Sequence, residues 1–148
     1  MDLFRSHVAS QERLASAKAA IIALLAADLI DEQRVKLLKT CLWFVTEAEG
    51  HKHKTRFRSA GCVANVDEKL QHEHVYQLKN LAVRLMKNSD TVDEVVGIAV
   101  GCTVTRSEHL RLTAISKANP DLDGWARYVK AEVRVFDMAT GTERVFAT

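Results

Sequence analysis

The sequence predicts a single α+β domain: an N-terminal helical hairpin, short central strands with helices, and a C-terminal β-hairpin. Three observations carry this prediction. An alanine- and leucine-rich stretch of helical period fills the first third of the chain. Short β-branched runs alternate with helical spacing in the middle. Two strand-like runs flank the turn residues Ala139-Thr140-Gly141 near the end. A chain of 148 residues is long enough to bury a real core in one domain, with residues 1–50 as the hairpin and 51–148 as the α+β part.

Residues 9–29 read as the first helix, capped by Ser10, with Leu14, Ala17, Ile21, Leu24, Leu25 and Leu29 at helical spacing. Asp31 is placed to cap a second helix running to about Glu49, whose stripe is Val35, Leu38, Leu42 and Val45. Gly50 ends it. The short link favours an antiparallel hairpin. Its alanine-rich surface permits close helix approach, inside the molecule first and in a homodimer as a further use.

Ala60 to Asn65 reads as a short strand, and Asp67 to Leu70 leads into a central stretch, 70–75, that reads as a strand or a turn feeding a helix, its apolar–polar alternation being imperfect. Leu78, Leu81, Ala82, Leu85 and Met86 then give a helix to about Lys87. Thr91-Val92-Asp93-Glu94 has capping-box form and opens a helix to about Val100, which Gly101 stops. Cys102 to Thr105 is β-rich, and Thr105-Arg106-Ser107-Glu108 is a second capping box. It starts the helix carrying His109, Leu110, Leu112 and Ile115. After Asn119-Pro120-Asp121 a last helix turns Leu122, Trp125, Ala126 and Val129 inward, with Arg127 and Lys130 outward. Val133 to Met138 and Glu143 to Phe146 form the terminal β-hairpin.

Bulk composition narrows the class without naming a partner. Net charge is +2, so the total does not point to nucleic acid or membrane. Cys41, Cys62 and Cys102 are scattered with no Cys-x-x-Cys pair, which suits reduced thiols better than a disulfide framework or zinc finger. There is no signal-peptide core and no apolar run of membrane-spanning length. The expectation is a cytoplasmic protein with no membrane partner.

The chemistry-bearing residues centre on Gln71-His72-Glu73-His74-Val75. On a strand, side chains two apart share a face, so His72 and His74 point together with Cα atoms roughly 6.5–7 Å apart, and Glu73 points away. Such a pair suits a metal, or divides into a ligand and a general base; as a hydrogen-bonded cluster it is structural. On a helix the two rings diverge and chelation fails. Glu108 has a structural explanation, since its carboxylate returns to the Thr105 amide for about 1 kcal/mol. His109 has none: it reads as a ligand meeting His72 or His74, or as a half-buried packing residue. Lys52, Lys54, Arg56 and Arg58, with Phe57 between the arginines, form the densest basic run. They suit phosphate contacts, or a solvated loop balancing Glu47 and Glu49.

The order Lys52-His53-Lys54-Thr55-Arg56-Phe57-Arg58-Ser59, His72-Glu73-His74-Val75, Cys102-Thr103-Val104-Thr105-Arg106-Ser107-Glu108-His109-Leu110-Arg111-Leu112 and Trp125-Ala126-Arg127-Tyr128 resembles small bacterial and prophage-type proteins of unassigned activity, over roughly residues 43–130. Glu73-His74, or His72 with His74, and Val104-Thr105 leading to His109, are also similar to motifs of HNH nucleases with the ββα-metal fold. The chain departs from that family: the insert reads as two helices, no asparagine falls in its motif position, and no proline follows Val75.

Two functions follow as expectations. In the first, the protein is an HNH-like nuclease with a divalent ion (zinc, magnesium or manganese). His72 or Glu73 and His109 would hold the metal, His74 would be the general base, and Lys52, Lys54, Arg56 and Arg58 would position the nucleic acid. In the second it is a non-catalytic regulator or inhibitor from a mobile element, binding nucleic acid or an acidic protein surface without a metal.

Overall fold

The computed structural model describes residues 4–51 and 54–146, and these form the expected mixed α+β architecture. Helices α1 (Ser10–Ala26) and α2 (Asp31–Glu47) make the hairpin. Neither expected cap forms. Ser10 is buried inside the first turn of α1, and Ala9 at the cap position donates its backbone N–H to His7 Nδ1 at 3.1 Å. Asp31 lies in the first turn of α2, where its charge opposes the helix dipole at close range. The turn is held from α2 instead. Arg34 Nη1 donates to the carbonyls of Leu24 (2.6 Å) and Ala27 (2.9 Å), and Nη2 to Leu29 (2.7 Å). A cation thereby satisfies the orphan carbonyls at the end of α1.

Five strands follow: β1 (Phe57–Ser59), β2 (Leu70–His74), β3 (Gly101–Thr105), β4 (Val135–Asp137) and β5 (Thr142–Arg144). They form one sheet in the order β2-β3-β1-β4-β5, with β1 parallel to β3 and the other neighbours antiparallel. Strands β4 and β5 are the expected terminal hairpin, turning at Gly141 with φ 72°. Among the described residues strand β2 is an edge, paired only to β3.

Ala60–Asn65 is not a strand. Ala60–Val63 forms the short helix α3, because the Ser59 hydroxyl accepts from the Cys62 amide at 3.1 Å and caps it. Small residues with little β preference yield to that cap. Helix α4 (Leu78–Lys87), a 3₁₀ turn (Ser89–Thr91) and α5 (Val92–Ile98) come next. The Thr91–Glu94 capping box does not form: the Thr91 hydroxyl donates to the Asn88 carbonyl at 2.7 Å, and Glu94 pairs with Arg84. Helix α5 ends before Gly101, which lies inside β3. A Cβ on Gly101 would collide with the His72 ring, 2.8 Å from Nε2.

The second capping box does form, at the start of α6 (Arg106–Ala118). Helix α7 (Trp125–Lys130) is rotated relative to expectation: Arg127 and Tyr128 are buried, and Val129 is exposed. Apolar side chains gather in two clusters. Ile21, Leu38, Leu42, Leu85 and Val95 join α1, α2, α4 and α5. Val104, Leu112, Tyr128 and Val135 join the sheet to α6 and α7. Tyr76 packs against both. Among the described residues no helix is long and apolar enough to cross a membrane.

Candidate functional site

Strand β2 separates two polar clusters, because consecutive side chains on a strand face opposite ways. His72 and His74 share one face, as their spacing predicts, with ring centroids 5.1 Å apart. Trp43 of α2 packs on both, edge-on to His74 at 4.5 Å and tilted to His72 at 5.9 Å. The Thr46 hydroxyl donates to the Trp43 carbonyl at 2.7 Å, which leaves its oxygen to accept from His72 Nε2 at 3.4 Å. The buried Nε2 of His74 has no hydrogen-bond partner among the described residues. Burial, with His72 and Arg127 adding positive potential, lowers the His74 pKa from 6.5 to about 4. His74 is therefore neutral at pH 7 and a weak base, far from the poise of an efficient general base.

Glu73 faces the other way and meets α6 and α7. His109 Nδ1 donates to its Oε2 at 2.6 Å, and Arg127 Nη1 donates to its Oε1 at 3.3 Å. Arg127, expected to point outward, is only 2 % exposed and organises this side. Its Nη2 donates to the carbonyls of His74 and Val75, each at 2.6 Å, and Nη1 also reaches the Ser116 hydroxyl at 3.2 Å. Its Nε lies 3.7 Å from the Asp123 carboxylate. The chain leaves the sheet after His74, and a buried guanidinium supplies donors to the carbonyls stranded there.

His72 and His109 are thus on opposite sides of β2 and do not meet. Glu73 and His109 do meet, but the carboxylate already carries the Arg127 guanidinium, whose positive charge opposes a metal cation at that oxygen pair. Among the described residues no group of three or more His, Cys, Asp or Glu side chains is arranged to hold an ion. Among the described residues the expected ligands His72 and His109 are therefore not brought together around one ion position.

The described residues of the basic run have separate surroundings. Lys52 lies outside the described residues, and Lys54 is exposed. Arg56 forms two bonds to the Asp137 carboxylate, at 2.9 and 2.8 Å, which hold that carboxyl below its usual range. Arg58 Nε donates to the Thr55 carbonyl at 3.2 Å.

Three features escape the sequence reading. Glu108 does more than cap: besides the Thr105 amide (2.8 Å) it accepts from the Gly61 amide (3.1 Å) and the Ser59 hydroxyl, tying α3 to α6. Arg127 is a buried hub. The third is a cleft of about 670 Å³ whose lining includes Lys36, Lys39, Trp43, Phe44, His74 and Lys79. Trp43 is 44 % and Phe44 60 % exposed. Lys36, Lys39 and Trp43 recur at helical spacing on α2, a signal present in the sequence; Lys79 joins them only through the docking of α4. A smaller cleft of about 350 Å³, holding Ser116 and Lys117, shares Glu73 and Gln77 with this one. Comparison with family models, curated proteins and solved structures finds no match for this chain.

Proposed function

We propose that the protein binds single-stranded nucleic acid without cleaving it, through the cleft between α2 and α4. The observation that carries this is the pairing of three lysines with two exposed aromatic rings in one concavity. Lysines neutralise backbone phosphates, and an exposed ring stacks on an unpaired base for about 1–3 kcal/mol. The site needs no metal. This keeps the expectation of a non-catalytic nucleic-acid binder and moves its contact surface from the 52–58 run to α2 and α4.

The test is fluorescence anisotropy with single-stranded oligonucleotides across a salt series. For single strands log K falls with log salt at a slope of about −0.7 per phosphate neutralised. Replacing Lys36, Lys39 and Lys79 by alanine is therefore expected to flatten the slope by about 2. Trp43→Ala weakens binding with the slope unchanged. Binding that ignores salt, or survives all four changes, rejects the proposal; binding only to an acidic protein surface would replace nucleic acid as the partner.

A second reading, acid–base catalysis, has one observation in its favour. The Glu73–His109 pair has the form of a carboxylate orienting an imidazole, and among the described residues His109 Nε2 has no hydrogen-bond partner. Phosphodiester cleavage by the wild type, lost in His109→Ala with the fold retained, would establish it. Absence of cleavage in chelator and in added metal alike would reject it.

A further inference from the structure

The geometry points to a homodimer in which a second copy of this chain docks on the outer groove between α1 and α2. Helix α2 has three faces with different surroundings. Leu38, Leu42 and Val45 are buried in the core, and Lys36, Lys39 and Trp43 line the basic cleft, which Phe44 also borders from the edge of the next face. Leu37, Cys41 and Phe44, at i, i+4 and i+7, form the third face, where Leu37 is 43 % and Phe44 60 % exposed. Beside it runs a groove of about 680 Å³ between the helices, floored by Ser16, Ala17 and Ala20 of α1 and by Cys41 and Phe44 of α2. Small residues on one wall and a large ring on the other are a shape into which a helix fits closely.

The rim identifies the occupant. Glu12 and Arg13 stand on α1, and Glu47 and His51 at the end of α2. Both signs are present, so the surface is complementary to itself and does not suit a polyanion. In a two-fold interface, residue i meets j and j meets i, so an Arg13–Glu47 contact between copies would form twice. Arg13 and Glu47 thus stand on opposite helices at the rim of one groove. Two hairpins docked through this groove form a four-helix arrangement.

The experiment is sedimentation equilibrium of the full chain, with alkylation of Cys41 as a second readout. The expected mass is twice 16.5 kDa. Cys41, which lines the groove, should react more slowly as concentration rises, while Cys62 on α3 serves as the internal reference. Ala20→Glu, at an exposed position, is expected to weaken self-association by at least about tenfold with helicity unchanged. Arg13→Glu and Glu47→Arg should each weaken it, and the double variant should restore it. A wild type that stays monomeric at every concentration overturns the proposal and leaves the groove to a foreign helix. A dimer indifferent to Ala20→Glu and to the charge exchange overturns it too, by placing the interface elsewhere. Ala20 does not line the basic cleft, so oligonucleotide binding by Ala20→Glu separates failure here from failure of the proposed function.

Discussion

Glu73 and His109 stand 36 residues apart in the chain and are joined by a 2.6 Å hydrogen bond. The bond ties the edge strand β2 to the first turn of α6, and Arg127 closes the arrangement from α7. Three elements distant in sequence meet at one carboxylate.

Arg127 is the member whose loss is predicted to matter most. Arg127→Met leaves Glu73 with one partner and strands two carbonyls, so a loss of about 3–5 kcal/mol is expected, as when one partner of a buried ion pair is removed. Urea denaturation measures it. A loss below about 1 kcal/mol would mean that the hub carries no such weight.

His74 predicts an acid-sensitive fold. Its pKa is depressed from 6.5 to about 4 in the folded state, chiefly by burial. The folded state therefore favours the neutral ring, and the unfolded state takes up the proton first. The contribution is complete above pH 6.5 and is lost as pH falls towards about 4. Its size is at most about 3 kcal/mol, and partial exposure reduces it. Stability of wild type minus His74→Phe, followed between these limits, should shrink as pH falls; a flat difference refutes the assignment.

Glu108 is predicted to exceed an ordinary capping residue. Ser59→Ala removes a donor from a buried carboxylate and is expected to cost about 1–3 kcal/mol. Glu108→Ala should cost more than that, well above the ~1 kcal/mol of a capping interaction, because amides from two segments lose their acceptor together. Thermal melts of both variants decide the order.

Gly101 and His72 are predicted to be coupled. Gly101→Ala forces a Cβ into the His72 ring and should destabilise by about 1–3 kcal/mol. In a His72→Ala background the penalty should largely vanish, which a double-mutant cycle reads directly. Additive effects would mean that the ring moves aside without cost.

Arg56→Ala is predicted to leave oligonucleotide affinity unchanged and to lower stability by under about 1 kcal/mol, because the guanidinium is engaged by Asp137 in a part-exposed pair. A marked loss of affinity would return the contact surface to the basic run.

The sequence by itself determined much of this protein. Period and turn chemistry sufficed for the helical hairpin, for the Thr105–Glu108 capping box and for the terminal β-hairpin; pairing with β3 made 70–74 a strand, and strand geometry then put its two histidines on one face. Each of the first three depends on residues a few positions apart, so the physics is local. Local rules also misled where a competing bond lay close by: Ser59 turned Ala60–Val63 into a helix, and Asn88 drew the Thr91 hydroxyl away from Glu94. Only the tertiary structure decided what the polar residues do. Arg127 looked solvent-facing on a short helix, and its burial follows from carbonyls supplied 52 and 53 residues earlier. His72 and His109 suggested a shared ion until the sheet put β2 between them. Arg56 looked available to phosphate until β4 set Asp137 beside it. In each case the deciding partner came from another element, and the cost of leaving a buried charge or carbonyl unsatisfied outweighed the preference read from its neighbours.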